Sequence, residues 1–130
     1  YALSLAINKV YRPLLKKLGL TYSQYLVMLA LWETDAQTVT DIGEKLCLDS
    51  ATLTPLLKRL QVAGMISRTR SSQDERQVII HLTEMGNKLK NQSGDVMEAM
   101  ICALGCPLEE VTMLRDRLNL LRQQLSYNVN

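Results

Sequence analysis

Apolar residues recur every three or four positions along most of the chain, which is the spacing of amphipathic helices. The first segment, residues 1–18, carries such a stripe, while Pro13 inside it predicts a kink or a break. A second helix begins at the capping-box pair Thr21 and Gln24 and continues through an apolar run to Trp32. Because that run is apolar on nearly all sides, we expect the second helix to be central in the fold.

The middle of the chain has the pattern of a helix-turn-helix. Residues 38–39 predict one short strand, and Thr40 is expected to cap a short helix over residues 41–46. Asp49 or Ser50 then caps a longer helix, which a glycine terminates.

After Gly64 the period changes from that of a helix to that of a strand. Residues 65–70 and 76–82 are rich in β-branched residues and arginine, and a short polar, turn-forming segment separates them. We therefore expect a β-hairpin here. Thr83 begins a long helix that runs to about Leu104, and a last helix, opened by a proline, extends towards the C-terminus.

These elements predict a mainly α-helical fold with a small β-hairpin wing, which is a winged helix-turn-helix with flanking dimerisation helices. One domain is expected over residues 1–130, because ~100–150 residues is the commonest domain size. The winged-helix lobe covers about residues 20–90. The flanking segments, residues 1–18 and 91–130, are too apolar to stand alone, so we expect them to pack against a second copy in a symmetric homodimer.

Composition and charge exclude two broad classes of protein. With 47% hydrophobic and 22% charged residues, the chain is typical of a globular protein rather than a disordered one. The longest apolar run, Leu26 to Trp32, falls far short of the roughly 20 residues of a membrane-spanning helix, so no membrane partner is expected.

Residues 49–82 carry five basic and three acidic side chains, whereas the rest of the chain carries ten of each. This local excess of positive charge is typical of a nucleic-acid footprint.

Double-stranded DNA is therefore the expected partner, and two groups of residues are the candidate contacts. Small hydroxyl residues at the start of a recognition helix let its backbone approach base edges, while basic residues bind phosphates. The helix candidates are Ser50, Thr52, Thr54, Lys58 and Arg59. The hairpin candidates are Arg68, Arg70 and Arg76, with Asp74 expected to hold one hairpin arginine in place. The alternative is an ordinary surface helix and a solvated hairpin with a surface ion pair.

The three cysteines, Cys47, Cys102 and Cys106, show no disulfide spacing, which favours a reducing cytoplasm. His81 is the only histidine, so neither a metal site nor a cofactor is expected. The sequence shows no active-site loop and no constellation of catalytic bases, and we therefore do not expect an enzyme.

Three stretches of the sequence form one recognisable pattern: residues 11–15 with 19–28, residues 48–60, and residues 74–76 with 82–84. The most specific part of it reads Leu48-Asp49-Ser50-Ala51-Thr52-Leu53-Thr54-Pro55-Leu56-Leu57-Lys58-Arg59. Together the stretches resemble the MarR-type winged-helix repressors and, within them, the organic hydroperoxide resistance regulators, often called OhrR. Ala51 departs from the family, which mostly has glycine at this position.

The resemblance implies a redox switch built around a cysteine in the first helix. In the family this sensor cysteine lies four residues before a tyrosine that Tyr1 matches, so it is expected just before Tyr1. Two further family tyrosines, one from the same chain and one from the partner subunit, hydrogen-bond the sensor sulfur and thereby stabilise its thiolate, and they are matched by Tyr11 and Tyr22. The alternative for both is an ordinary buried aromatic residue with a satisfied hydroxyl.

One branch of the family forms a disulfide between the sensor and a second cysteine of the partner subunit. Cys102 matches that second cysteine, and Cys106, one turn further on, is the less favoured alternative. Cys47 matches no family cysteine and is interpreted as structural. For Cys102 itself, the alternative is a small buried hydrophobic residue.

The function implied by this resemblance is a homodimeric, cytoplasmic repressor that binds its operator when reduced. An organic hydroperoxide would oxidise the sensor and release the DNA. Three alternatives stay open: a MarR-type repressor released by a small aromatic ligand without redox chemistry, a thiol peroxidase, and a dimeric interaction module that does not bind DNA.

Overall fold

The computed structural model describes residues 1–129 of the chain, in which six helices and three strands follow one another. The elements are α1 Ala2–Leu18, α2 Tyr22–Glu33, β1 Gln37–Thr38, α3 Val39–Leu46, α4 Ser50–Val62, β2 Ile66–Arg70, β3 Val78–Leu82, α5 Glu84–Leu104 and α6 Leu108–Val129. Their order is the predicted one, and the mainly helical winged helix-turn-helix is therefore confirmed.

The chain forms two compact units, Tyr1–Val96 and Met97–Asn130, the second of which is described to Val129. The first unit contains α1 and the whole winged helix. The second contains the end of α5 and all of α6, in which no residue is buried. Among residues 1–129, no helix combines the length and the apolar character needed to cross a membrane.

Helix α2 lies at the centre of the first unit, as its apolar run predicts. Its residues Tyr25, Val27 and Met28 are completely buried in one continuous core. At the end of the helix, the Trp32 Nε1–H donates to the Gly86 carbonyl at 2.9 Å, so the single tryptophan ties α2 to the first turn of α5.

Two features of the helices differ from the sequence predictions, one inside α1 and one at the start of α3. Helix α1 continues through Pro13 without a break, because the proline removes only one hydrogen bond of a long helix. Helix α3 is capped by Thr38 rather than Thr40. The Thr38 Oγ1 accepts from the Asp41 amide at 3.1 Å, and the Asp41 carboxylate accepts from the Thr38 amide at 3.2 Å. This reciprocal pairing starts α3 at Val39, earlier than predicted.

The three strands form an antiparallel sheet in the order β1-β3-β2. In the hairpin, Ile66 pairs with Leu82 and Arg70 pairs with Val78. Strand β3 therefore begins later than predicted, and Arg76 lies in the connecting loop rather than in a strand.

Candidate nucleic-acid interface and tyrosine pocket

The recognition helix α4 begins at an aspartate cap. The Asp49 Oδ1 accepts from the Thr52 amide at 2.7 Å, which satisfies one of the free N–H groups at the start of the helix. The hydrogen bond from the Thr52 amide lowers the pKa of Asp49 below its usual value of 3.8, and hydrogen bonds with the Thr52 side chain and the Ala51 amide act in the same direction. The carboxylate is therefore ionised at neutral pH, where its negative charge also favours the helix N-terminus.

Replacing Asp49 with asparagine is expected to remove a pH-dependent part of the stability. A carboxyl group whose pKa is lowered by folding stabilises the folded state above its unfolded pKa, and this contribution disappears as the pH falls through the folded pKa. Asparagine caps helices as well but does not titrate. We expect Asp49→Asn to lower the thermal midpoint near neutral pH, and we expect this deficit to shrink as the pH falls below the usual aspartate pKa and through the lowered pKa of the folded state. A deficit in thermal unfolding that is the same at neutral and at strongly acidic pH would contradict this explanation.

Helix α4 presents one apolar face to the core and one polar face to solvent. Leu53, Leu56, Leu57 and Leu60 are buried, which fixes the rotation of the helix about its axis. All five helix candidates for DNA contact lie on the exposed side, namely Ser50, Thr52, Thr54, Lys58 and Arg59. The Thr54 hydroxyl donates to the Ser50 carbonyl at 2.7 Å, so its oxygen keeps lone pairs for an incoming donor.

The turn between α3 and α4 depends on a glycine that the sequence analysis did not single out. The Leu48 amide donates to the Gly43 carbonyl at 2.9 Å, and a Cβ at Gly43 would lie 2.9 Å from the Leu48 carbonyl oxygen. Cys47 occupies the turn itself in a left-handed conformation, with φ at 56°. The sequence signal that could have identified Gly43 is a glycine inside a short predicted helix, directly before a turn.

The wing exposes its three arginines in three different ways. The Arg68 Nε donates to the Gln61 side chain of α4 at 2.7 Å, and therefore joins the base of the wing to the recognition helix. The Arg70 Nη1 donates to the Glu75 carbonyl at 3.1 Å. Arg76 is exposed in the loop, and within residues 1–129 its guanidinium has no hydrogen-bond or ion-pair partner. It is thus the wing arginine with the most freedom to enter a groove.

Asp74 organises the tip of the wing through the backbone. Its Oδ1 accepts from the Arg76 amide at 3.0 Å, and its carbonyl accepts from the Gln77 amide at 3.0 Å. The Ser71 hydroxyl accepts from the amides of Gln73 and Asp74 on the other side of the loop. Asp74 therefore positions an arginine of the hairpin through its main chain, and no ion pair joins it to a guanidinium among the described residues.

Tyr11 of α1 and Tyr22 of α2 come together, with ring centroids 5.2 Å apart. A third tyrosine that the sequence analysis did not single out, Tyr25, joins them at 5.6 Å from Tyr11. Burial, followed by the electrostatic effect of Tyr22, raises the pKa of Tyr11. Burial, followed by the effects of Tyr11 and then Tyr22, raises the pKa of Tyr25 to about 12. All three residues form what we call the tyrosine pocket.

A cavity of about 510 Å³ opens beside Tyr22, between the end of α1 and the start of α2. Its walls include Asn8, Arg12 and Lys16, and none of its lining residues is acidic. This volume suits a small organic molecule. The cavity is therefore compatible both with an organic hydroperoxide and with the aromatic ligand of the alternative function.

The three cysteines lie apart from the tyrosine pocket in the sequence, and none forms a disulfide. Cys102 is exposed near the end of α5, and Cys106 is half-buried in the loop that follows. Cys47 is exposed at the helix-turn-helix. Within the described part of the chain, no group of three or more His, Cys, Asp or Glu residues is arranged to hold a metal ion.

Known proteins with similar sequences and structures are DNA-binding regulators. A sequence model of the family described as transcriptional regulator SarA/Rot matches residues 9–93. Over 125 residues the chain is 45% identical to the organic hydroperoxide resistance transcriptional regulator of Bacillus subtilis (strain 168), covering 96% of this chain and 85% of that protein.

Among solved structures, the chain is similar to AbfR of Staphylococcus epidermidis. Reduced AbfR bound to DNA gives a TM-score of 0.81 at 40% identity and covers 100% of this chain and 89% of that chain. The structure of disulfide-formed AbfR gives a TM-score of 0.70 at 42% identity and covers 93% of this chain and 85% of that chain.

The sequence similarity extends over the winged helix and both flanking segments, so it is not confined to a widespread DNA-binding fold. The resemblance seen in the recognition helix and wing is thereby confirmed. The chain belongs to the MarR-type winged-helix transcriptional regulators, in the group that contains the organic hydroperoxide resistance regulators.

Proposed function

We propose that this DNA-binding regulator is a repressor that releases its operator when an organic hydroperoxide oxidises a cysteine held at the tyrosine pocket. The observation that carries the proposal is the combination, in one compact unit, of an exposed basic winged helix and a cluster of three phenols, of which Tyr25 is buried and Tyr11 and Tyr22 are half-buried. Because the winged helix is exposed, it is accessible to DNA. Phenol donors buried next to one another favour an anionic acceptor such as a thiolate.

DNA binding is proposed to use the exposed side of α4 and the wing. Residues Ser50, Thr52 and Thr54 would approach the base edges in the major groove, and Lys58 and Arg59 would bind phosphates. Arg76 would enter the minor groove, where the negative potential is strongest, while Arg68 and Arg70 support the wing.

A homodimer is proposed because α6 carries a long exposed apolar stripe. Leucine side chains along this helix are roughly half to two-thirds exposed in the single chain, and such a surface is typical of a protein interface. The stripe consists of Leu108, Leu114, Leu118, Leu121 and Leu125. A two-fold dimer would present two recognition helices to a pseudo-palindromic operator, about 34–36 Å apart.

The redox step is proposed to start at the cysteine expected before Tyr1, with Tyr11 and Tyr22 as its hydrogen-bond donors. Its thiolate attacks the hydroperoxide, the O–O bond breaks, and a sulfenic acid and an alcohol result. Cys102 of a partner subunit would then displace water from the sulfenic acid and form a disulfide, with Cys106 as the alternative. AbfR, a relative, is known in a disulfide form. Such chemistry requires a reducing compartment such as the cytoplasm to restore the thiols.

The test is operator binding by the full-length protein, followed by fluorescence anisotropy of a duplex from its own upstream region. We expect about two chains per duplex, a loss of affinity of roughly 5- to 150-fold after a stoichiometric organic hydroperoxide, and recovery after a thiol reductant.

Cys102→Ser should abolish the inter-subunit disulfide on non-reducing gels, and Cys106→Ser is the matched control. Binding that ignores the hydroperoxide would contradict the redox step. Release by a small aromatic ligand instead would favour the alternative that uses the cavity beside Tyr22.

A further inference from the structure

The Tyr25 hydroxyl is the one buried side-chain polar atom, among residues 1–129, that has no hydrogen-bond partner. Its residue has 0% exposure, so bulk water does not reach it. Buried hydroxyls are nearly always paired, because an unpaired donor has lost its hydrogen bonds to water without replacement. An exception in the middle of a core therefore points to a partner that is acquired in the working state of the protein.

The neighbours of Tyr25 limit what that partner can be. The Tyr25 ring packs against Tyr11 at 5.6 Å on one side and meets the edge of Trp32 at 6.3 Å on the other. Trp32 is itself held by the Gly86 carbonyl, so this side of the ring is fixed. Because burial, followed by the effects of Tyr11 and Tyr22, raises the pKa of Tyr25 to about 12, its hydroxyl keeps its proton at neutral pH and is available as a donor. Tyr11 is the half-buried phenol whose ring packs directly against Tyr25, and its oxygen is a chemically suitable acceptor.

We propose that Tyr25 is a positioning residue of the tyrosine pocket, and that its hydroxyl donates to the Tyr11 oxygen when the pocket holds the sensor thiolate. This inference rests on the proposed redox function. A phenol has one proton and two lone pairs. When Tyr11 accepts from Tyr25, its own proton is directed away from Tyr25 and towards the sulfur.

The consequence is a chain of hydrogen bonds from Tyr25 through Tyr11 to the thiolate. Donation to the Tyr11 oxygen polarises its O–H bond and makes Tyr11 a stronger donor. A stronger donor stabilises the thiolate and lowers the thiol pKa, which raises the fraction of sensor able to attack a hydroperoxide. Tyr25 itself never contacts the sulfur, which agrees with its complete burial.

Tyr25→Phe in the full-length protein tests this inference, because phenylalanine keeps the ring contacts and removes only the hydroxyl. The readout is the pH profile of the rate at which organic hydroperoxide releases the operator, since the midpoint of that profile reports the sensor thiol. We expect the midpoint to move upwards and the rate at neutral pH to fall about 3- to 10-fold. Operator affinity of the reduced protein should be unchanged. Tyr127→Phe, which removes an exposed hydroxyl of α6, is the matched control and should leave the profile unaltered.

Three results would overturn the inference, and they differ from one another. An unchanged pH profile together with a higher thermal midpoint would mean that the Tyr25 hydroxyl stays unpaired in the working protein. A weaker operator complex in the reduced state would mean that the hydroxyl supports the fold generally. A parent protein whose DNA binding ignores hydroperoxide would overturn the proposed function itself, and that result appears before any variant is made.

Discussion

Gly86→Ala is expected to destabilise the first compact unit by about 3 kcal/mol or more, which for a domain of this size removes a large part of the folding free energy. A Cβ built at Gly86 lies 2.2 Å from the Met65 carbonyl oxygen and 3.3 Å from a methyl group of Leu82. The carbonyl belongs to the backbone at the start of the wing, where it accepts from the Thr83 amide at 3.1 Å. It cannot move aside as a flexible side chain would.

The strain is increased by the other bonds of this glycine. The Gly86 amide donates to the Thr83 Oγ1 at 3.1 Å, and its carbonyl accepts from Trp32 at 2.9 Å. Any shift of α5 that relieves the clash therefore disturbs both the helix cap and the contact with the core. Loss of the buried tryptophan bond alone would leave an indole N–H unpaired, at a cost of about 1–3 kcal/mol.

Urea unfolding followed by circular dichroism measures this effect, and the same helix supplies the control. Gly94 also lies within α5, but a Cβ there meets nothing within 4 Å. Gly94→Ala should stabilise the protein by roughly 0.5–1 kcal/mol, because alanine favours the helix and restricts the unfolded chain. A Gly86→Ala protein as stable as the parent would show that the wing and α5 are not packed as closely as described.

Arg76→Ala is expected to weaken operator binding by about 10- to 100-fold, equivalent to ~1.4–2.8 kcal/mol, while leaving the fold intact. Its guanidinium has no partner among residues 1–129, so removing it breaks no internal contact. The bond that shapes the loop runs from the Arg76 amide to Asp74 and is kept in the variant. The loss should therefore report a contact with DNA rather than a change in the wing.

Anisotropy titrations at several salt concentrations measure both affinity and the number of phosphate contacts. If Arg76 also neutralises a phosphate, the slope of log affinity against log salt should fall by about 1. Arg115→Ala is the control, because it removes an exposed arginine of α6 that pairs with Asp116 at 2.8 Å. Equal effects of the two substitutions would indicate a general loss of positive charge and would contradict the assignment of Arg76 to the interface.

The sequence was sufficient to predict which residues of the DNA-binding surface are exposed, but not the exact ends of the elements that carry them. The leucine spacing of α4 places the candidate residues Ser50, Thr52 and Thr54 on the side opposite the core, and the structure has them there. The predicted start of α3 was wrong by two residues, because Thr38 and Thr40 are both suitable N-cap residues. Only the reciprocal bond with Asp41 distinguishes Thr38. Likewise, the residue pattern predicts Arg76 in a strand, whereas in the structure the turn organised by Asp74 holds it in the loop.

Local sequence patterns were therefore sufficient to predict the type and order of the elements and the polarity of their faces, but not every boundary. Periodicity and local capping depend on neighbours within a few residues, and those neighbours can be read directly from the chain. The roles of Tyr25 and Gly86, in contrast, depend on contacts between elements that are far apart in the sequence. An ordinary buried tyrosine and an ordinary helical glycine carry no local signal. Their importance comes from the Tyr11 ring on another helix and from the Met65 carbonyl, 21 residues away along the chain, and only folding brings these groups together.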